Sequence, residues 1–236
     1  MSLYLTLLLC SLAFPLALSF DKKVAFFRYW KTLFPSLILT GVMFIAADII
    51  FTKNGVWGFN PLYHSGFTPA GIPVEEWLFF IIIPYVSIFT HYVIITYFPN
   101  ACLSDKNTRV ITWVLTALLS LLVLIFHNRT YTAFYSAFMV VLLIISLAGK
   151  SRILNRFYIT YLVILIPFFI VNGILTGTFI EGEVVWYNGS EITGLRILTV
   201  PFEDIMYGFS LIFMNLMLME KFKKLHEKKP GILNEK

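Results

Sequence analysis

The chain has 236 residues, 58% of them hydrophobic and 13% charged, and its mean hydropathy is +0.82. An average soluble domain carries roughly 25% charged residues, so a soluble fold could not hide this much apolar surface; the excess is read as facing lipid. The net charge of +5 comes from basic residues between apolar segments and at the C-terminus, which fits an anionic membrane surface and argues against nucleic acid as a partner.

A helix needs about 20 apolar residues to cross a bilayer. Spans are expected at 2–19, 33–51, 74–97, 110–126, 131–148, 157–175 and 200–219. The first could be a cleavable signal segment, but it lacks the positively charged start of one and is read as a retained helix. Of the 18 Lys and Arg residues, 15 fall in one set of loops and the tail, and only Lys53, Arg129 and Arg196 fall in the other set. This alternation needs an odd number of spans. It puts the N-terminus outside and the basic C-terminus in the cytoplasm of a multi-pass protein, with the cell membrane as the expected location. Residues 221–236 read as a charged, solvated cytoplasmic tail.

Two segments are alike. Pro73-Val74-Glu75-Glu76-Trp77 opens the third span and Pro201-Phe202-Glu203-Asp204-Ile205 opens the seventh, 128 residues later. Arg28-Tyr29 and Arg156-Phe157 keep the same offset. The expected organisation is an all-α membrane protein of about seven helices, built as a 3+1+3 parallel internal repeat. One three-helix half covers 1–108, a linking helix 109–128 and a second half 129–220. Four spans separate equivalent helices, so both halves point the same way, about an axis along the membrane normal. Both acidic pairs then lie at the non-cytoplasmic face.

Each acidic pair has an ordinary reading, because proline starts helices and acids in the first turn complement the helix dipole. Their repetition at the head of long apolar spans points further, since acids at membrane depth are costly and mark function. Two close carboxyls do not ionise together easily, and a protonated acid beside an ionised one can donate a proton and then remove one. Neighbours on a helix point about 100° apart. The convergent pair is therefore either two neighbours or one acid from each half. Trp57, Phe59, Trp77, Trp186 and Tyr207 lie near the motifs. They are either an interfacial aromatic belt or the walls of a pocket whose π faces stabilise a carbocation. Asp48 and Asn172, near the outer ends of the second and sixth spans, are candidate supporting residues. His91 reads as a packing residue. No His/Glu spacing suggests a metal site, Cys10 and Cys102 form no metal spacing, and dinucleotide, P-loop and nucleophile-elbow motifs are missing.

A Pro-x-Glu-Glu/Asp motif used twice, each time at the head of an apolar helix in a three-plus-one-plus-three chain, resembles the small membrane-integral lycopene cyclases of the heterodimeric or fused type. The resemblance spans about residues 2–219, and with both halves in one chain it is to the fused form. It implies that the linear ends of lycopene are closed to β-rings, giving γ-carotene and then β-carotene. The reaction is an isomerisation by acid and base through a carbocation, with no cofactor and no metal. Carried over by motif position, the catalytic residues it implies are Glu75, Glu76, Glu203 and Asp204; on the pocket reading of the aromatics, Trp57, Phe59, Trp77, Trp186 and Tyr207 are the substrate-binding candidates. The partners implied are a lipid-soluble carotenoid, membrane lipid and other enzymes of carotenoid synthesis.

Three readings compete. A small-solute transporter with a parallel 3+1+3 repeat is the main alternative, although exporters of that plan carry Pro-Gln hinges and this chain has no Gln. An enzyme acting on another carotenoid is the second. A retinal-binding protein needs a lysine within its last helix, and residues 200–219 hold none.

Overall fold

The computed structural model describes residues 1–149 and 151–227. Its α-helices are α1 (Leu3–Leu18), α2 (Trp30–Lys53), α3 (Val74–Tyr97), α4 (Asp105–Ile125), α5 (Thr130–Ala148), α6 (Ile153–Leu175) and α7 (Glu203–Glu227). Six of them, α2 to α7, are long and apolar enough to cross a membrane, which defines an all-α, multi-pass membrane protein. At 16 residues α1 is the shortest of the seven. Helix α7 continues into the stretch expected as a solvated tail, as far as Glu227; the remaining tail residues, 228–236, lie outside the described residues.

The core is four helices. Helix α2 packs on α3 and α7, and α6 packs on the same two from the other side, while α1 lies against α3, α5 against α7 and α4 against α5. Long apolar helices can be buried on one side and bare on another because lipid accepts the bare side. Phe80, Leu37 and Phe213 are fully buried, while Ile38, Val42 and Leu124 remain exposed.

The two longer loops meet at one end of the bundle. Strand β1 (Trp57–Phe59), from the α2–α3 loop, pairs antiparallel with β2 (Val185–Tyr187), from the α6–α7 loop. The register is Trp57 with Tyr187, Gly58 with Trp186 and Phe59 with Val185. A shift of 128 positions exchanges the two outer pairs and returns Gly58–Trp186 to itself. The flanking bonds follow suit: Asn60 N–H donates to Val184 O and Asn188 N–H to Val56 O, both at 2.9 Å. Gly58 is required here, because a β-carbon would overlap the indole of Trp186. A short hairpin, β3 (Arg196–Ile197) with β4 (Val200–Pro201), leads into α7.

The motif prolines sit just before their helices rather than inside them. Pro73 is the residue before α3, extended at ψ 144°, and Pro201 lies in β4, two residues before α7. Proline fixes φ but leaves ψ free. The chain can thus arrive extended while the Pro73 carbonyl accepts the Glu76 N–H at 2.9 Å.

Candidate active site

The four motif acids separate by helical angle. Glu75 and Glu203 turn toward the loops. Glu75 is fully buried; its Oε1 accepts from Ser2 Oγ and Ser65 N–H, both at 2.7 Å, and its Oε2 from Ser65 Oγ at 3.2 Å. Glu203 repeats the pattern, its Oε1 accepting from Thr132 Oγ1 and Thr193 N–H, both at 2.6 Å. In each case the amide donor stands ten residues upstream of the acid. Each carboxyl thereby ties a loop and the start of a neighbouring helix to its own helix. Ser2 serves twice, since its Oγ also accepts the Leu5 N–H as the N-cap of α1.

Glu76 and Asp204 turn inward, and both line a cavity of about 40 Å³ beneath the paired strands. Glu76 Oε2 accepts from the Tyr4 phenol at 2.5 Å. Asp204 is held by three donors: Tyr131 OH on Oδ1 at 2.6 Å, and Asn172 Nδ2 and Tyr187 OH on Oδ2 at 3.0 and 3.1 Å. A third acid, Asp48, lines the same cavity, and its Oδ2 is buried with no hydrogen-bond partner among the described residues. No Lys, Arg or His lines the cavity among the described residues. Three carboxyls at such a site repel one another strongly when ionised together, because little water screens them.

Aromatic rings form most of the remaining wall. Tyr131 stacks on Tyr187, with centroids 5.6 Å apart and planes at 24°, and Trp57 meets Tyr131 edge-on at 5.0 Å. Tyr207 lies 4.7 Å from Tyr135 and 6.5 Å from Tyr131, and Phe59 and Phe79 also line the space. Tyr187 is outside the helices; burial, reinforced by the Asp204 carboxylate, pushes its phenol well above the usual tyrosine range, so it stays a donor.

Of the aromatic candidates, Trp57, Phe59 and Tyr207 line the cavity, whereas Trp77 and Trp186 do not. Trp77 is half-buried on another face of α3, its Nε1 without a hydrogen-bond partner among the described residues, and Trp186 is 38% exposed above Gly58. Asp48 and Asn172 both reach the cavity. Sequence reasoning missed Tyr4 and Tyr131, the phenols that hold the two inward acids. The signal available was a tyrosine near the start of α1 and another near the start of α5, at positions 127 residues apart. His91 is buried and bonded to Thr160 Oγ1 at 2.7 Å, away from the acids. Among the described residues no group of three His, Cys, Asp or Glu side chains is placed to hold a metal ion.

Fold and site together define a membrane-embedded protein with buried carboxyls in an aromatic cage. The family model described as lycopene cyclase matches two stretches, residues 1–94 and 128–222. The chain belongs to the lycopene cyclase family and is an enzyme that cyclises lycopene, of the isomerase or intramolecular lyase type, with a lipid-soluble carotenoid as substrate. This sets aside the transporter alternative. Comparisons with curated proteins and with solved structures gave no match.

Proposed function

We propose that the chain forms β-rings on lycopene at one composite site, using Glu76 and Asp204 as acid and base. The observation that carries this is the meeting of these two carboxyls, one from each matched stretch, in a single aromatic cavity. The matched stretches, the repeated acid contacts and the interchangeable strand register support a 3+1+3 parallel repeat with halves 1–108 and 129–220. The alternating basic loops support seven crossings, with α1 as the shortest, the N-terminus outside, the tail in the cytoplasm and the site at the outer face of the cell membrane.

The roles follow from hydrogen bonding. Donors that point at a carboxyl favour its ionised form. Asp204 has three and is assigned as the base. Glu76 has one, shares the cavity with two other carboxyls, and is assigned as the acid. Its proton adds to the terminal double bond of the linear end. The resulting cation is attacked by the π electrons of the next double bond within reach, which closes the six-membered ring. Asp204 then takes a proton from a ring carbon, and the electrons of that C–H bond form the new ring double bond. One proton is gained and one lost, so the product is an isomer. The faces of Trp57, Tyr131, Tyr187 and Tyr207 present negative charge density to the cation. The enzyme resets when a proton returns from Asp204 to Glu76, and Asp48, with its unpaired Oδ2 in the same cavity, is the relay. Glu75 and Glu203 act as positioning residues.

The test is expression in a lycopene-producing bacterial host, with extracted pigments separated by chromatography. The native chain is expected to convert lycopene to γ- and β-carotene. Glu76→Gln and Asp204→Asn, at equal membrane abundance, are each expected to leave lycopene unconverted. Full conversion by either variant would refute the assignment.

A further inference from the structure

Cyclisation consumes only one end of a long substrate, and the rest of the polyene needs somewhere to lie. A cavity of about 40 Å³ has room for little more than the reacting end. A second, larger space of about 250 Å³ adjoins it, sharing Phe79 and Asn172 as lining residues. Its walls come from α1 (Ser11, Pro15), α3 (Ile83, Val86, Ser87, Thr90) and α6 (Ile164, Pro167, Phe168, Val171). On α3 the lining residues 79, 83, 86 and 90 continue the helical face that starts at Glu76, with steps of three and four. That face runs about 16 Å from Phe79 to Thr90, at 1.5 Å per residue. On α6 the lining residues 164, 168, 171 and 172 lead in the same way to Leu175 and Thr176 at the cavity.

The matching space in the other half is nearly closed. Positions 128 on from Met43 and Phe44 are Val171 and Asn172, yet the cleft lined by Met43, Phe44, Phe134, Tyr135 and Phe138 holds only about 50 Å³. Phe44 fills it, packing against Tyr135, Phe138 and Tyr207. Asn172 stands where Phe44 does, and Ser11 stands where Phe138 does at the 127-residue offset that relates Tyr4 to Tyr131. Two prolines lie directly on the walls of the open groove, Pro15 in α1 and Pro167 in α6, whereas the proline of α2, Pro35, is not among the residues lining the closed cleft. Proline removes a helix hydrogen bond and bends the helix, which helps hold two walls apart.

We propose that the groove between α1, α3 and α6 holds the unreacted polyene of the substrate and leads to the acids from the lipid. The occupant is argued from continuity with the cavity, the predominantly apolar walls and the exposed Pro167 at the lipid side. One site that takes one end at a time means that the two ends of lycopene are cyclised one after the other. The monocyclic product must withdraw, turn round and re-enter with its second end. The inference rests on reading the carboxyl cavity as the cyclisation site.

The test compares two substrates in isolated membranes: lycopene, and a truncated polyene that keeps one linear end but is too short to reach past Phe79. Val171→Phe narrows the groove, and Met43→Phe makes the same change at the matching position of the closed cleft. Val171→Phe is expected to slow lycopene conversion by about tenfold or more, while conversion of the truncated polyene stays within about twofold. Met43→Phe is expected to leave both rates within about twofold. If Val171→Phe loses both activities, Ser11→Phe on the opposite wall gives the same comparison, and loss of both substrates there as well overturns the proposal. Normal lycopene conversion in Val171→Phe and Ser11→Phe, with Glu76→Gln inactive, overturns the groove assignment alone. Full activity of Glu76→Gln overturns the site reading and the groove assignment with it.

Discussion

The adjacent acids Glu75 and Glu76 provide a sharp test, because one substitution made at two neighbouring positions should have opposite consequences. In Glu76→Gln the side chain keeps its size and its amide oxygen can still accept from Tyr4 OH. The structural cost is small, at most about 1 kcal/mol, because Glu76 is the protonated acid and the bond from Tyr4 is neutral in both forms. The proton that starts the reaction is gone, however. General acid–base catalysis contributes typically about 10²–10⁴-fold, so the barrier should rise by roughly 3–5 kcal/mol. In Glu75→Gln the amide oxygen keeps Ser2 Oγ and Ser65 N–H as donors, and the new amide N–H can donate to Ser65 Oγ. All three contacts survive, and about 1 kcal/mol of local stability is lost. Activity should stay within about fivefold of native, because the carboxyl does not line the cavity. The assay is the initial rate of lycopene consumption in membranes, normalised to folded protein. A loss in Glu75→Gln as large as that in Glu76→Gln would refute the division between reacting and positioning acids.

Two further outcomes are expected. Tyr131→Phe removes the shorter of the two phenol bonds to Asp204 and leaves Tyr187 and Asn172 in place, so lycopene turnover should fall by about tenfold rather than vanish; an unchanged rate would show that the phenol does not position the base. The Tyr187 phenol titrates higher in the folded protein than in the unfolded chain, whose value is near 10. Folding stability from this group is therefore complete below about pH 10 and declines as pH rises above it, since the unfolded chain gives up the proton first. Thermal unfolding of the detergent-solubilised protein should show this alkaline loss, and it should be smaller in Tyr187→Phe.

The long helices were legible in the sequence because a bilayer imposes length and hydropathy, which are properties of a linear segment. Residues 74–97 were expected as one span and form α3 within the same limits. The boundary of the last helix was not legible: Lys221, Lys223 and Lys224 read as tail, yet they extend α7, with Lys224 paired to Glu220 at 2.7 Å. Surface charges do not stop a helix that a packed segment has already nucleated, and pairs four residues apart support it. The acids were conspicuous as charges at the heads of apolar spans, and their 128-residue repeat could be read directly. Which member of each pair faces the cavity depends on how α3 and α7 are rotated against α2 and α6, and packing alone fixes that rotation. Tyr4 and Tyr131 could not be singled out as partners, because they lie 72 and 73 residues from the acids they hold. Trp77, inside the first motif segment, and Trp186, in the loop that leads to the second, show the opposite case, aromatics near the motifs in sequence that do not line the cavity. The sequence by itself determined the membrane class, the acidic motifs and the family. Only the tertiary structure brought Glu76, Asp204 and Asp48, of all the acids, to one cavity and opened a groove beside it, because convergence and free space are made by side chains from different helices.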